Sequence, residues 1–192
     1  VGSATEVDNV QVSFSNDDSF EWFGGSVNTR HIIAFKGTDD DFDTDNGYSG
    51  LNQYGIALRD SDYYDLTYSL SSGSSTSEAF ESDNEATGTA AVSPYTNAVF
   101  SNFTLVGPVP VGTKYSELNS TAKSAFRRGA RIRRNSSLRV VNSIFMGYRN
   151  FVMVDGDSSL RNTNYDGILP FVTPNTAVDQ KTKQLFFTNN LI

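Results

Sequence analysis

The chain has no cysteine, one histidine, one tryptophan and five prolines among 192 residues. The lack of cysteine excludes disulfides, thiolate zinc sites and cysteine nucleophiles together. No apolar run approaches the roughly 18–20 residues needed to cross a bilayer as a helix. No signal-peptide pattern opens the sequence. Helix-favouring stretches are scarce, whereas Ser, Thr, Asn, Asp and Gly are plentiful. That bias favours short strands joined by polar turns.

What is present is enough for one domain with a core. Hydrophobic residues make up 38% and aromatics 12%, with 14 Phe and 9 Tyr, so the chain is foldable rather than disordered. The net charge of −7 conceals a division. Residues 1–90 carry 17 acids and 3 bases, residues 91–192 carry 5 acids and 12 bases. An acidic half and a basic half within one small domain point to internal pairing or to binding.

Two kinds of strand recur. The first reads NVQVSFS (9–15), RHIIAFKG (30–37), QYGIALRD (53–60), AVFSNFTLVG (98–107) and LRVVNSIFMG (138–147). The second follows each of them: SFEWFGG (19–25), DFDTDNG (41–47), AFESDNEATG (79–88), GARIRRNSS (129–137) and NFVMVDGDSS (150–159). The compact copies take about 22 residues, and longer ones hold polar insertions near 61–78 and 108–127. This pattern predicts an all-β fold, a single-stranded parallel β-solenoid whose coils share one core. An antiparallel sandwich or jelly roll is the competing reading, although Asn46-Gly47 is the only Asn-Gly pair of the kind that closes a tight hairpin.

The alignment assigns sides. In the second strand Phe20, Phe42, Phe80 and Ala130 are expected to point inward, with Trp22, Thr44, Ser82 and Ile132 two residues on. The outward positions then read Glu21 and Phe23, Asp43 and Asp45, Glu81 and Asp83, Arg131 and Arg133. Stacked coils place matching residues about 4.8 Å apart, so this acidic ladder is expected to run into the basic one supplied by RRGARIRR (127–134).

The stretch GTDDDFDTDNGYSG (37–50) raises a metal reading. Asp41, Asp43 and Asp45 have the spacing that opens a calcium loop, but Asn46 and Asn52 stand where that loop needs Gly and Glu, so an EF-hand is excluded. Calcium held across neighbouring coils by Asp17, Asp18, Asp39, Asp40, Asp41, Asp43 and Asp45 remains open, against capping of turn amides by the same carboxylates. Paired carboxylates Glu21, Asp43, Asp45, Glu81 and Asp83 could equally serve acid–base chemistry on a polysaccharide. The Gly-His-Gly of β-helical polygalacturonases is missing, and His31, opening an apolar strand, reads as structural. Trp22, Tyr48 and Tyr54 fall near the acids, where exposed rings can stack on sugars, although each ring taken alone is expected more often in the core. A sequence pI near 4.6 speaks against nucleic acid as a partner.

The strings VDNVQVSFSNDDSFEWFGGSVNTRHIIAFKGTDDDFDTDNGYSG, AFESDNEATG, VFSNFTLVGP and AFRRGARIRRNSSLRVVNSIFMGYRNF, in that order, resemble secreted or surface-anchored right-handed parallel β-helix proteins of Bacteroidetes, often hypothetical lipoproteins or type IX secretion cargo. The resemblance covers most of residues 5–160. It implies a right-handed β-helix and an extracytoplasmic location, on the outer surface or secreted. It implies no reaction. Members carry further coils, so this chain, one β-helix domain over 1–192, is expected to be a piece of a longer solenoid whose missing coils are its partners. The expected function is glycan binding or a structural role through a face comprising Glu21, Trp22, Asp43, Asp45, Tyr48, Glu81, Asp83, Arg131 and Arg133. The alternative is a polysaccharide lyase or glycoside hydrolase using that same face.

Overall fold

The computed structural model describes residues 2–64, 76–87, 92–162 and 186–192. Strands β1 (Glu6–Ser13), β3 (Asn28–Phe35), β5 (Leu51–Leu58), β7 (Val99–Ser101), β10 (Arg139–Val141) and β13 (Phe186–Thr188) lie side by side in one sheet, joined by β8 (Thr104–Val106) and β11 (Ile144–Met146). Strands β2 (Phe20–Phe23), β4 (Phe42–Asp45), β6 (Phe80–Ser82), β9 (Arg128–Ile132) and β12 (Asn150–Val154) form the second. Every ladder between them is parallel. The chain thus passes from sheet to sheet and returns beside its previous pass, and the antiparallel alternative falls.

Register follows the repeat. Phe20 pairs with Phe42, Phe42 with Phe80 and Phe80 with Ala130. The long steps contain the insertions. Residues 65–75 of the first, and Gly88 at the end of AFESDNEATG, lie outside the described residues. The second insertion is not merely polar. It forms a 3-10 turn (Tyr115–Glu117) and α1 (Ser120–Ala125), capped by the Asn119 side chain. Leu118, Ala122, Ala125 and Phe126 bury there as a small satellite cluster with Tyr64, Val109 and Tyr115. A second short helix, α2 (Asp157–Asn162), follows β12.

The first-sheet strands bend at one recurring position. Asn9, His31, Tyr54, Asn102, Asn142 and Asn189 all have left-handed backbone, with φ between 50° and 63°. Asparagine tolerates that conformation best, and four of the six are Asn. The bend interrupts the later strands, which is why 98–107 and 138–147 each appear as two short strands rather than one. His31 and Tyr54 occupy the bend with stacked rings 5.3 Å apart. His31 is half exposed and meets Asp8 at 2.7 Å. It sits inside β3 rather than opening a strand, and Tyr54 lies on this sheet, away from the acids.

The core lies between the two sheets. Phe42, Phe80, Phe100 and Phe103 are fully buried and pack ring on ring, with Phe80–Phe100 centroids 4.9 Å apart and Phe42–Phe103 at 5.1 Å. Polar residues that the alternation sends inward find one another. Thr44, Ser82 and Ser136 form a hydroxyl chain with 2.7 and 2.6 Å contacts. Thr29 donates to Asn52 Oδ1 at 2.6 Å. Buried polar groups satisfied in this way cost little.

Gly55 has no room for a side chain. A Cβ on Gly55 would sit 1.9 Å from Cε1 of Phe103, which lies over it from the next coil. Gly55→Ala is expected to lower unfolding free energy by about 1–3 kcal/mol through overpacking. Urea unfolding followed by circular dichroism measures this; an unchanged midpoint would show that Phe103 moves aside freely.

Candidate functional site

Three columns of charge run along the second sheet, two on its outer face and a third, mostly buried, where the chain enters its strands. Glu21, Asp43, Glu81 and Arg131 are direct register partners. Two residues on stand Phe23, Asp45, Asp83 and Arg133, the first two paired in the ladder. Three residues before the first column come Asp18, Asp40, Glu78 and Arg128, linked by Asp40 N–H donating to Asp18 Oδ1 at 2.8 Å and Glu78 N–H donating to Asp40 Oδ1 at 2.5 Å. Each column runs acid, acid, acid, arginine, except that Phe23 begins the second.

Arginines answer the later acids. The Arg133 Nε donates to both Asp83 oxygens at 2.7 and 2.9 Å, and its Nη2 donates to Glu81. Arg134 adds a third bond to Asp83 at 2.7 Å. Arg131 reaches Asp155 at 3.1 Å and lies 3.7 Å from Glu81. Arg128 donates to Glu78 and to Thr76 Oγ1. Beneath them Arg59 is wholly buried, donating to Asp41 at 2.9 Å and to the carbonyls of Gly37 and Glu78.

The earlier acids have no such answer. Among the described residues no Lys or Arg pairs with Asp18, Glu21 or Asp43. Burial pushes the Asp43 carboxyl up to about 9, with Asp18, Glu81, Asp83 and Glu21 adding repulsion. Asp18 rises to about 7, from burial and then Asp39, although the Asp40 N–H opposes this. Glu81 rises to about 8 because burial outweighs Arg133. Asp40, wholly buried, is raised well above the carboxylate range by burial and then by Glu81.

Two groups of carboxylates here bring one oxygen each within 4.8 Å of the others: Asp17, Asp18 and Asp39, and Asp18, Glu21 and Asp43. The Asp43 Oδ1 is buried without a hydrogen-bond partner. Such oxygens suit a hard cation such as calcium. Other residues of the expected metal set are otherwise engaged. Asp41 is held by Arg59, and Asp45 Oδ1 accepts the Asn46 N–H at 2.6 Å.

The two aromatics placed on this face by sequence are corrected. Trp22 and Tyr48 are core residues, stacked on each other at 5.3 Å. The Tyr48 hydroxyl has one proton to donate and lies 2.8 Å from the Val27 carbonyl and 2.9 Å from Asn52 Oδ1. The alternation already sent Trp22 inward, and Tyr48 follows it because its hydroxyl finds acceptors there. The exposed ring beside the acids is Phe23, 65% accessible. Sequence reasoning missed the Asp18–Asp40–Glu78–Arg128 column, although the signal was present: in each coil a charge precedes the Glu21-equivalent by three residues.

Two outcomes test these electrostatics. Removing the Arg59 guanidinium strands Asp41, so Arg59→Met should cost about 3–5 kcal/mol, much of it restored in Arg59→Met/Asp41→Leu; chemical denaturation measures both. The raised carboxyls bind protons more tightly folded than unfolded. In metal-free protein, stability is therefore expected to fall as pH rises from the ordinary Asp value of 3.8 toward about 9. Asp43→Asn should flatten that slope in unfolding curves taken across the range.

Residues 1–189 match the family model for a pectate-lyase-like beta helix domain. Neither a search of curated proteins nor one of solved structures returned a match. The match spans almost the whole chain and agrees with two sheets of parallel strands and little helix. The chain belongs to the pectate-lyase-like β-helix domain family.

Proposed function

We propose that this protein is an extracytoplasmic, right-handed β-helix module that binds a polysaccharide or cell-surface glycan on the outer face of its second sheet. The observation that carries the reading is the meeting of an exposed aromatic ring with unpaired carboxylates: Phe23 lies in ladder register with Asp45 and two residues beyond Glu21, whose own ladder partner is Asp43. A ring supplies apolar area for a sugar face. Carboxylates accept its hydroxyls, and calcium held by Asp17, Asp18, Glu21, Asp39 and Asp43 would neutralise the face and offer further coordination sites. Membership of a pectate-lyase-like family supports a carbohydrate-related role. Secretion or surface attachment in a member of the Bacteroidetes accords with the resemblance in the repeat strings.

A polysaccharide-cleaving enzyme is the second reading, favoured by Asp43. A carboxyl pushed up to about 9 is protonated near neutrality, the state a general acid needs before it donates to a leaving oxygen. Glu21, its exposed ladder neighbour, would be the second carboxylate.

Affinity electrophoresis of the folded protein through gels containing acidic or neutral polysaccharides, with calcium or with EDTA, tests the proposal. Retardation is expected, weakened roughly tenfold in Phe23→Ala, a loss of about 1.4 kcal/mol. Equal mobility of wild type and Phe23→Ala in every gel would remove this face as the contact. Release of reducing ends or unsaturated products, lost in Asp43→Asn, would favour the enzyme.

A further inference from the structure

Asp40, Glu78 and Glu81 are charged residues folded into the boundary between coils, each less than a tenth exposed. Each already spends one oxygen on a neighbour. Asp40 accepts the Glu78 N–H, Glu78 accepts from Thr76 and Arg128, and Glu81 accepts from Arg133. One oxygen from each residue lies within 4.8 Å of the other two. Oxygens no farther apart than this can share a single calcium ion at bonds of about 2.4 Å.

A second observation points to a ligand. The Glu78 Oε2 and Glu81 Oε1 are buried without hydrogen-bond partners, on side chains 0% and 7% exposed. Buried carboxylate oxygens left without a donor are costly. The arginines do not remove that cost. Arg128 and Arg133 are committed to the opposite oxygens of Glu78 and Glu81, and Arg131, which bonds Asp155, lies 3.7 Å from Glu81 Oε1, too far to donate a hydrogen bond to it. Arg133 and Arg134 are also shared with Asp83. With Asp83 and Asp155 included, five acids face these four arginines, and Asp18 and Asp43 bring further carboxyls alongside.

We propose that Asp40, Glu78 and Glu81 form a buried inter-coil site for a divalent cation with hard oxygen preference, calcium above all, which fastens β4 to β6 from outside the core. It is separate from the more accessible Asp18–Glu21–Asp43 group. The enclosed ion clamps two coils and is shielded from glycan, whereas an ion at the outer group can meet one. The step between these coils is also the one that spans the first insertion, so an ion here closes the longest early loop of the winding.

Terbium substituted for calcium tests the site without relying on glycan binding. Luminescence decay in light and heavy water counts the water molecules on each bound ion. Wild-type protein is expected to bind two classes of ion, one with several waters and one with no more than about one. Glu21→Gln/Asp43→Asn should lose the wet class and keep the dry one. Asp40→Asn/Glu81→Gln should lose the dry class, with circular dichroism showing that the strands persist. Absence of any dry class in wild type or in Glu21→Gln/Asp43→Asn would overturn the proposal and leave a shared proton as the neutralising species. Either result leaves the electrophoretic test of the Phe23 face standing on its own.

Discussion

Parallel register in the second sheet is the constraint on which the rest depends. Once Phe20, Phe42, Phe80 and Ala130 stack as one inward column, every residue at a fixed offset stacks as well. The outward charges cannot be staggered to avoid one another. At a coil spacing of about 4.8 Å, carboxylate meets carboxylate wherever neighbouring coils carry the same sign. The apolar core thus dictates the electrostatic problem on the opposite face.

The protein solves this problem unevenly. Toward β9 the coils switch sign, so Arg128, Arg131 and Arg133 enter the same three columns that Glu78, Glu81 and Asp83 occupy one coil earlier. Arg59 comes from the other sheet to hold Asp41 and two carbonyls inside. Toward β2 no sign change occurs. Asp18, Glu21 and Asp43 face one another, and burial removes the water that would otherwise screen them. A charge gradient runs along the solenoid as a result, from acids paired with arginine to acids with no arginine beside them. That second end is where chemistry with a cation or a sugar becomes favourable.

Much of this was legible in the sequence because a solenoid converts linear spacing into spatial neighbours. The inward series Phe20, Phe42, Phe80 and the outward ladder from Glu21 to Arg131 follow from the repeat alone. The third column escaped because Asp40 and Glu78 precede the strands, where alternation no longer dictates direction. Arg59 escaped for another reason. It belongs to a first-sheet segment, and only the closure of the coil brings it beneath Asp41. Tyr48 joined the expected face only through its place beside the acids in the sequence, whereas acceptors inside the core satisfy its hydroxyl. The bend at Asn9, His31, Tyr54, Asn102, Asn142 and Asn189 had a partial signal in its four asparagines, masked by the His and Tyr of the intervening coils.

The central claim is that arginines leave the β2–β4–β6 side of this face with negative charge that only a bound cation can balance while the carboxylates stay ionised. Thermal unfolding at mildly alkaline pH, after EDTA treatment and again with millimolar calcium, tests it most directly. A clear rise in the unfolding midpoint with calcium, growing with its concentration, is the predicted result. Midpoints that coincide with and without calcium would contradict the claim and return the acidic ladder to protons and backbone amides.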